Sequence, residues 1–349
     1  MTDPAPPALV CPVPLPPGDA VLLGHGSGGK LTADLIRTLF VPAFGGRELA
    51  RLGDAAVVEV EGLRLAFTTD GFVVTPRFFP GSDIGALAVN GTVNDLAMMG
   101  ATPLFLSAGL ILEEGLPMED LGRVVASMTE ACRAANVQLV TGDTKVVERG
   151  GADGIYVTTA GLGVVPSGVE VGPELAGPGD AVIVSGPVGS HGVAVMSRRA
   201  GIEFDGELRS DSAPLTGLAR AMLAAGDVRA MRDATRGGVA SVLNEIADAS
   251  GVTITADEAA FPVLEPVRAA CEMLGLDPLY VANEGVCVAI VAGSDGEKVL
   301  AAARAHPLGS SAAMVGTVEE GPASVRLRTS LGGTRPLVML AGDQLPRIC

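Results

Sequence analysis

IGALAVNGTVNDLAMM, residues 84–99, carries one charged side chain, Asp95, among apolar and small residues, and predicts a largely buried helix. An ionised carboxylate in such surroundings is costly unless it is paired, hydrogen-bonded or bound to a cation. The same stretch therefore marks a core and a candidate site. Before it, residues 56–60 and 63–68 read as two strands around a turn at Glu61-Gly62, the second alternating Leu63, Leu65 and Phe67 with Arg64 and Ala66. After it come a strand over 104–112, a helix over 119–135, and strands over 137–141 and 155–162. This alternation describes one mixed α/β unit.

Residues 166–179 are rich in Pro and Gly and lack periodicity, so they form the linker candidate. Beyond them the pattern predicts strands over 181–185, 286–291 and 312–318 and helices near 192–199, 215–225 and 238–249, a second α/β unit. The expected partition is a proline-rich extension (1–20), an N-terminal domain (21–165), the linker, a C-terminal domain (180–340) and a tail (341–349). The tail, AGDQLPRIC, has Gly342 and Pro346 opposing regular structure and reads as mobile.

A chain of 349 residues exceeds what one core usually organises. Its positive mean hydropathy comes from dispersed small and aliphatic residues, and each long apolar stretch is broken by charge or turn residues, so no transmembrane helix is expected. The N-terminus lacks a basic start and a continuous apolar segment; it reads as an extended tail, with the cytoplasm as the expected location. Five cysteines at 11, 132, 271, 287 and 349 show no metal-ligand pairing and suit a reducing compartment. The net charge of −16 disfavours nucleic acid and anionic membranes, but is compatible with ATP if Mg²⁺ stands between carboxylates and phosphates.

Several short segments carry chemistry. GHGSGGK, residues 24–30, supplies four glycines and Lys30 before a helix, resembling a phosphate cradle although Leu31 breaks the GxxxxGK[ST] pattern. Asp54, Asp70, Asp95 and Asp143 sit beside or within apolar elements, Asp143 at a predicted strand end; as a set they favour a metal site over separate capping roles. DATRGG (233–238) joins Asp233 and Arg236 to a helix start, where the alternatives are phosphate or metal contact and an ordinary N-cap with Arg236 in solvent. Asn244-Glu245 reads as a polar helix face, and Glu284, taken alone, as a turn residue. Cys349 places a thiol on the last residue, next but one to Arg347.

Taken together, GHGSGGK, DGFVVTPRFFPGSDIG (70–85), VNGTVNDLAMMGATP (89–103), TGDTKVV (141–147), DATRGGVA (233–240), NEG (283–285) and terminal PRIC resemble, in order and over nearly the whole chain, the HypE carbamoyl dehydratases of NiFe-hydrogenase maturation. The resemblance implies an α/β (α+β) two-domain aminoimidazole ribonucleotide synthetase-like fold with a flexible C-terminal tail. It implies that HypF places a carbamoyl group on Cys349, that ATP drives its dehydration to a thiocyanate, and that the cyano group passes to a HypC–HypD complex; a homodimer is also implied. By the same resemblance Asp54, Asp70, Asp95 and Asp233 would hold Mg²⁺. His25, Gly26, Ser27, Gly28, Gly29, Lys30, Asp143 and Arg236 would bind the nucleotide, and Lys145 and Glu284 would orient the carboxamide and remove its proton, with the base open between them. Ala234 departs from the Pro usual after the first acid of that motif, which affects loop stiffness. The competing readings are a small-molecule kinase or synthetase of the same fold and a non-catalytic maturation scaffold. Eight or nine extended tail residues reach only ~25–30 Å at ~3.3 Å each, so Cys349 is expected to alternate between an outward and a docked inward position.

Overall fold

The computed structural model of the protein describes residues 20–201, 208–340, 345 and 347–349. Most of the proline-rich extension, with Cys11, and Gly342 and Pro346 of the tail lie outside the described residues. Three short helices, α1 (Lys30–Leu35), α2 (Val41–Phe44) and α3 (Arg47–Arg51), follow the glycine-rich stretch. The expected hairpin is β1 (Ala56–Val60) and β2 (Leu63–Phe72), and a small ribbon, β3 (Phe78–Phe79) and β4 (Ser82–Asp83), leads into α4 (Ile84–Met98). Then come β5 (Thr102–Glu113), α5 (Met118–Ala135), β6 (Gln138–Val147) and β7 (Ile155–Val164), which complete a sheet in the order β1-β2-β7-β5-β6.

The second body contains β8 (Ala181–Val184), α6 (Ser190–Ala200), α7 (Thr216–Ala225), β9 (Val228–Asp233), α8 (Gly238–Ser250), β10 (Thr253–Asp257) and α9 (Glu265–Leu274). It closes with β11 (Cys287–Val291), α10 (Gly296–Ala305), β12 (Ala313–Glu319), β13 (Ser324–Arg328) and β14 (Thr334–Pro336). Its sheet runs β14-β13-β10-β12-β8-β11-β9. In β8, Val182 and Val184 pack with Leu243 and Ile246 of α8, while Ile183 packs with Leu218 of α7 and Val299 of α10. Side chains that alternate between two helical layers explain why β8 and β11 are wholly apolar and buried.

The opening stretch forms the helix it predicts. Asp83 caps α4 by accepting from the amides of Gly85 (2.8 Å) and Ala86 (3.0 Å), a contribution of about 1 kcal/mol for such caps. The helix is buried nearly all round: Leu87 and Val93 join the core against α5, whereas Ala97 and Met98 join the core of the second body. Glycine at 85 is dictated by packing, because a Cβ there would lie 2.4 Å from the Val124 carbonyl of α5. Buried Asn94 ties the two bodies together, receiving the Leu215 amide at 2.7 Å and donating to the carbonyls of Ala213 (3.1 Å) and Glu284 (3.2 Å).

One strand boundary changes. The strand read as ending at 141 continues to Val147, because parallel pairing with β5 carries Asp143 opposite Gly109 and Lys145 opposite Ile111. Asp143 is thus mid-strand. Within the linker candidate, residues 171–173 are buried, and the Gly172 amide bonds to the Arg229 carbonyl at 3.0 Å. The described end of the tail is seated on the molecule: the Val73 amide donates to the Cys349 carbonyl (3.0 Å), the Thr75 amide to that of Arg347 (3.3 Å), and Ile348 and Leu345 are buried. This is the inward position of the two that the tail's reach suggested. Docking rests on backbone carbonyls, two apolar side chains and the Arg347 guanidinium, which donates to Val73 O (3.0 Å) and pairs with Asp153 (2.8 Å); all these partners are distant in sequence, so the absence of periodicity in AGDQLPRIC did not reveal it.

Candidate functional site

Strand ends and helix starts of both bodies converge on one cleft. Asp54 precedes β1, Thr68 and Asp70 lie on β2, Asp95 projects from α4, and Asp233 ends β9 immediately before the turn that carries Arg236 into α8. These residues, with Arg232, Glu245, Glu284 and Cys349, line a cavity of ≈ 250 Å³. The family resemblance groups Asp54, Asp70, Asp95 and Asp233 on one ion, and the structure brings all four to this cavity together with Cys349, whereas Asp143, grouped with the first three from the residues alone, lies elsewhere.

The carboxylates are held in distinct ways. Asp54 Oδ1 pairs with Arg232 Nη2 at 2.8 Å, and Arg232 Nη1 reaches Glu245 Oε2 at 3.0 Å. Asp70 Oδ1 accepts from the Gly71 amide at 2.6 Å, and Asp95 Oδ2 accepts from Thr68 Oγ1 at 2.8 Å. Burial pushes Asp54 up to about 6 against the pull of Arg232. Burial and then the charges of Asp233, Asp70 and Asp54 push Asp95 well above the carboxylate range; burial, followed by Asp54, does the same to Asp233. Glu284, 2 % exposed, is raised by burial and by Asp233, Asp70 and Asp211, with Arg236 opposing. Arg236 in turn is held above its ordinary value first by Cys349 and then, against burial, by Asp70 and Glu284. A cluster of like charges that raise one another's proton affinity is the condition a cation relieves.

The donor set fits Mg²⁺ shared with phosphates. Asp54 Oδ2 is buried without a hydrogen-bond partner among the described residues, an acceptor that a cation would satisfy. Among the described residues no three of His, Cys, Asp or Glu form a group that could hold an ion by themselves. Mg²⁺ characteristically takes one or two carboxylates and completes its shell with phosphate oxygens and water, so a complete protein cage is not required.

The glycine-rich stretch behaves differently from an open cradle. The amides of His25, Ser27, Gly28 and Lys30 bond to Leu22 O, Gly24 O, Thr32 Oγ1 and Leu340 O, and His25 Nδ1 accepts from the Leu22 amide. Gly26 offers its carbonyl to Arg236 Nη1 at 2.7 Å, and Ser27 is buried with its hydroxyl on Gly24 O. Gly28, Gly29 and Lys30 line a second cavity of ≈ 540 Å³, which shares Gly28, Ile36, Arg232 and Glu245 with the first. Gly28, at φ +76°, could not carry a side chain, since its Cβ would stand 2.7 Å from Arg236 Cβ. The loop therefore abuts the site through its last three residues, while His25, Gly26 and Ser27 brace it.

Asp143 and Lys145 do not line the carboxylate cavity. They pair with each other at 2.6 Å, both about 70 % exposed, on the edge strand β6. The Lys145 ammonium and the Thr144 amide hold Asp143 below its ordinary value. Sequence reasoning also passed over two members of the cleft. Arg232 lies outside the motifs quoted above, though it adjoins Asp233, and Glu245, expected on a polar helix face, is turned toward the cleft by its ion pair with Arg232.

The raised carboxylates fix the sign of a pH dependence. A carboxyl whose folded value exceeds its unfolded value of 3.8 stabilises the fold below that value, and the contribution is lost as pH rises through the folded value, about 6 for Asp54 and for buried Asp211. His191, lowered to about 4 by burial, acts oppositely below its ordinary 6.5. Above pH 6 the dependence rests on Asp95, Asp233 and Glu284, all held well above their ordinary values, so the ligand-free protein in chelator is expected to melt higher at pH 6 than at pH 8. A profile rising toward pH 8 in thermal denaturation would refute the arrangement.

Residues 52–165 match the model of the AIR synthase related protein N-terminal domain, and residues 177–327 that of the corresponding C-terminal domain. The chain is 55% identical over 330 residues to the carbamoyl dehydratase HypE of Cupriavidus necator, covering 94% of each chain. A solved HypE in complex with ATP shares 47% identity at a TM-score of 0.80, covering 95% of this chain and 100% of that one. The HypE of a solved HypE–HypF complex shares 46% identity at a TM-score of 0.84, covering 88% and 99%. No helix among the described residues is long and apolar enough to cross a membrane.

Proposed function

Because the chain belongs to the HypE carbamoyl dehydratase family, we propose that it uses ATP to remove water from a carbamoyl group carried on the Cys349 thiol, yielding an S-cyano cysteine. The observation that carries this reading is Cys349 itself, lining the same cavity as Asp54, Asp70, Asp95, Asp233 and Glu284. A carboxamide oxygen is a poor leaving group. Transfer of the ATP γ-phosphoryl group to it makes phosphate the leaving group, and loss of the remaining N–H protons completes the C≡N bond as the C–O bond breaks. Phosphoryl transfer asks the protein for position and charge neutralisation more than for covalent help. Asp54, Asp70, Asp95 and Asp233 are the residues that would hold Mg²⁺, which when bound offsets the phosphate charge.

Arg236, which lines the cavity with the acids and Cys349, suits the phosphate oxygens of the phosphorylated carboxamide. Glu284, with its raised proton affinity and its place in the cavity, suits receipt of the nitrogen-bound proton. Lys145, exposed on an edge strand, would act from a second copy of the chain. Support for a homodimer comes from the exposed apolar side chains of the first sheet, among them Phe67, Phe105, Ile111 and Val140. By family likeness the carbamoyl donor is a HypF-type transferase and the acceptor of the cyano group a HypC–HypD complex.

Intact-protein mass spectrometry tests the proposal. The protein is loaded with its carbamoyltransferase and carbamoyl phosphate, freed of partner and nucleotide, and then given Mg·ATP. The expected result is one carbamoyl group on Cys349 that loses one water only with ATP, and no loading of Cys349→Ala. Absence of loading by a demonstrably active partner would move the assignment to a free-substrate kinase.

A further inference from the structure

The docked tail is held from the side by a group that the reaction does not consume. His191, second residue of α6, is fully buried, and its Nε2 lies 2.8 Å from the Ile348 carbonyl oxygen. Its Nδ1 lies 2.8 Å from Ser210 Oγ, which also receives the Ser212 amide at 3.1 Å. These partners dictate the tautomer. A carbonyl only accepts, so Nε2 carries the proton, the neutral ring accepts at Nδ1, and the serine hydroxyl must donate. Burial, which lowers the imidazole to about 4, keeps the ring neutral. Phe79 meets it edge-on, with centroids 5.4 Å apart at 87°, and fixes its plane.

The segment that orients the ring also orients the site. Asp211 Oδ1 receives the Glu284 amide at 3.1 Å, and Asn90 of α4 donates to Ser212 Oγ at 3.1 Å. Residues 210–212 therefore place the carrier cysteine and Glu284 in one frame. A second hold, Arg199 Nη2 on the Arg347 carbonyl at 2.8 Å, is shared with Thr75 O and lies at the rim.

We propose that His191 is a positioning residue for the dehydration, a latch that grips the Ile348 carbonyl and keeps Cys349 turned into the carboxylate cavity. The proposal rests on the carrier reading of Cys349 for its role in turnover, but not for its effect on the tail. A latch has a signature that a general packing defect lacks. Loosening it favours the outward tail, which helps loading and hinders dehydration, whereas a damaged fold slows both.

The test compares His191→Phe, which keeps the ring and loses the donor, with His191→Gln, which restores an N–H donor. In the ligand-free protein, alkylation of Cys349 is followed on the C-terminal peptide by mass spectrometry. Leaving one buried carbonyl unsatisfied is expected to raise that rate roughly tenfold in His191→Phe, with partial return in His191→Gln. Water loss from preloaded His191→Phe should slow by a similar factor while loading by the transferase is undiminished. If His191→Phe does not accumulate folded, Ser210→Ala, which frees the tautomer and spares the ring, is expected to move alkylation in the same direction. Unchanged alkylation, or a parallel fall of loading and dehydration, would overturn the latch. Faster alkylation in a protein that never accepts carbamoyl would uphold the latch and remove the carrier reading.

Discussion

Asp95→Asn is expected to abolish turnover and to make the ligand-free protein more stable. In the folded chain Asp95 is either ionised beside Asp54, Asp70 and Asp233 or forced to take up a proton, and both states cost free energy that the unfolded chain does not bear. An amide of the same shape keeps an oxygen for Thr68 Oγ1, which now donates at 2.8 Å, and offers the remaining carboxylates a donor. The gain is expected as a higher melting temperature of the ligand-free protein at neutral pH, where the clustered carboxyls repel one another. The same change removes one charge from the ion site, so Mg·ATP affinity should fall by roughly a hundredfold or more. Calorimetric titration with Mg·ATP and thermal denaturation read the two effects separately. Unchanged binding would take Asp95 out of the site, and lower stability would mean that the ligand-free cluster is not self-repelling. A ligand-free protein more stable without one charge of the cluster is the trade-off expected where like charges are collected in one cavity.

Lys145→Ala and Glu284→Gln are each expected to lose activity by a factor of roughly 10² to 10⁴, and to recover it when mixed. Lys145 lies on β6, outside the cavity that holds Glu284 and Cys349 of its own chain. If a second copy supplies Lys145, a mixed dimer contains one site with both groups intact. Random exchange of subunits makes half the dimers mixed, so the mixture should reach about one quarter of wild-type turnover. The assay is water loss from preloaded protein after unfolding and refolding the two variants together. No recovery would place Lys145 and Glu284 in the same chain's chemistry, and full activity of Lys145→Ala alone would remove it from the reaction. The Asp143–Lys145 pair, exposed on both members, contributes little to stability, so Lys145→Ala should keep its fold.

Periodicity and turn chemistry located α4, the β1–β2 hairpin and α5 to within a few residues, because each has a local cause: apolar spacing, a Glu61-Gly62 turn, or a stretch too apolar to face water. Strands β9, β10 and β13 were missed. Their short stretches, such as VRAMRD, mix charge into the pattern, and only pairing within the seven-stranded sheet makes them strands. The identities of the chemical groups were likewise legible. Asp95 stood out because a carboxylate in so apolar a stretch is costly, whereas the acid beginning DATRGG and the terminal thiol, each open to a bland reading alone, gained weight only from the motifs taken together.

What the linear chain determined by itself was which groups had to be explained: carboxylates among apolar residues carry a desolvation cost wherever they end up, and that cost is readable without coordinates. Only the tertiary structure decided who meets whom. It turned Glu245 inward through Arg232, seated Ile348 and Cys349 against residues far away in sequence, and left Lys145 facing outward. Those outcomes depend on strand register and on carbonyl and amide partners far apart in the chain, interactions that leave no periodic trace in the order of side chains.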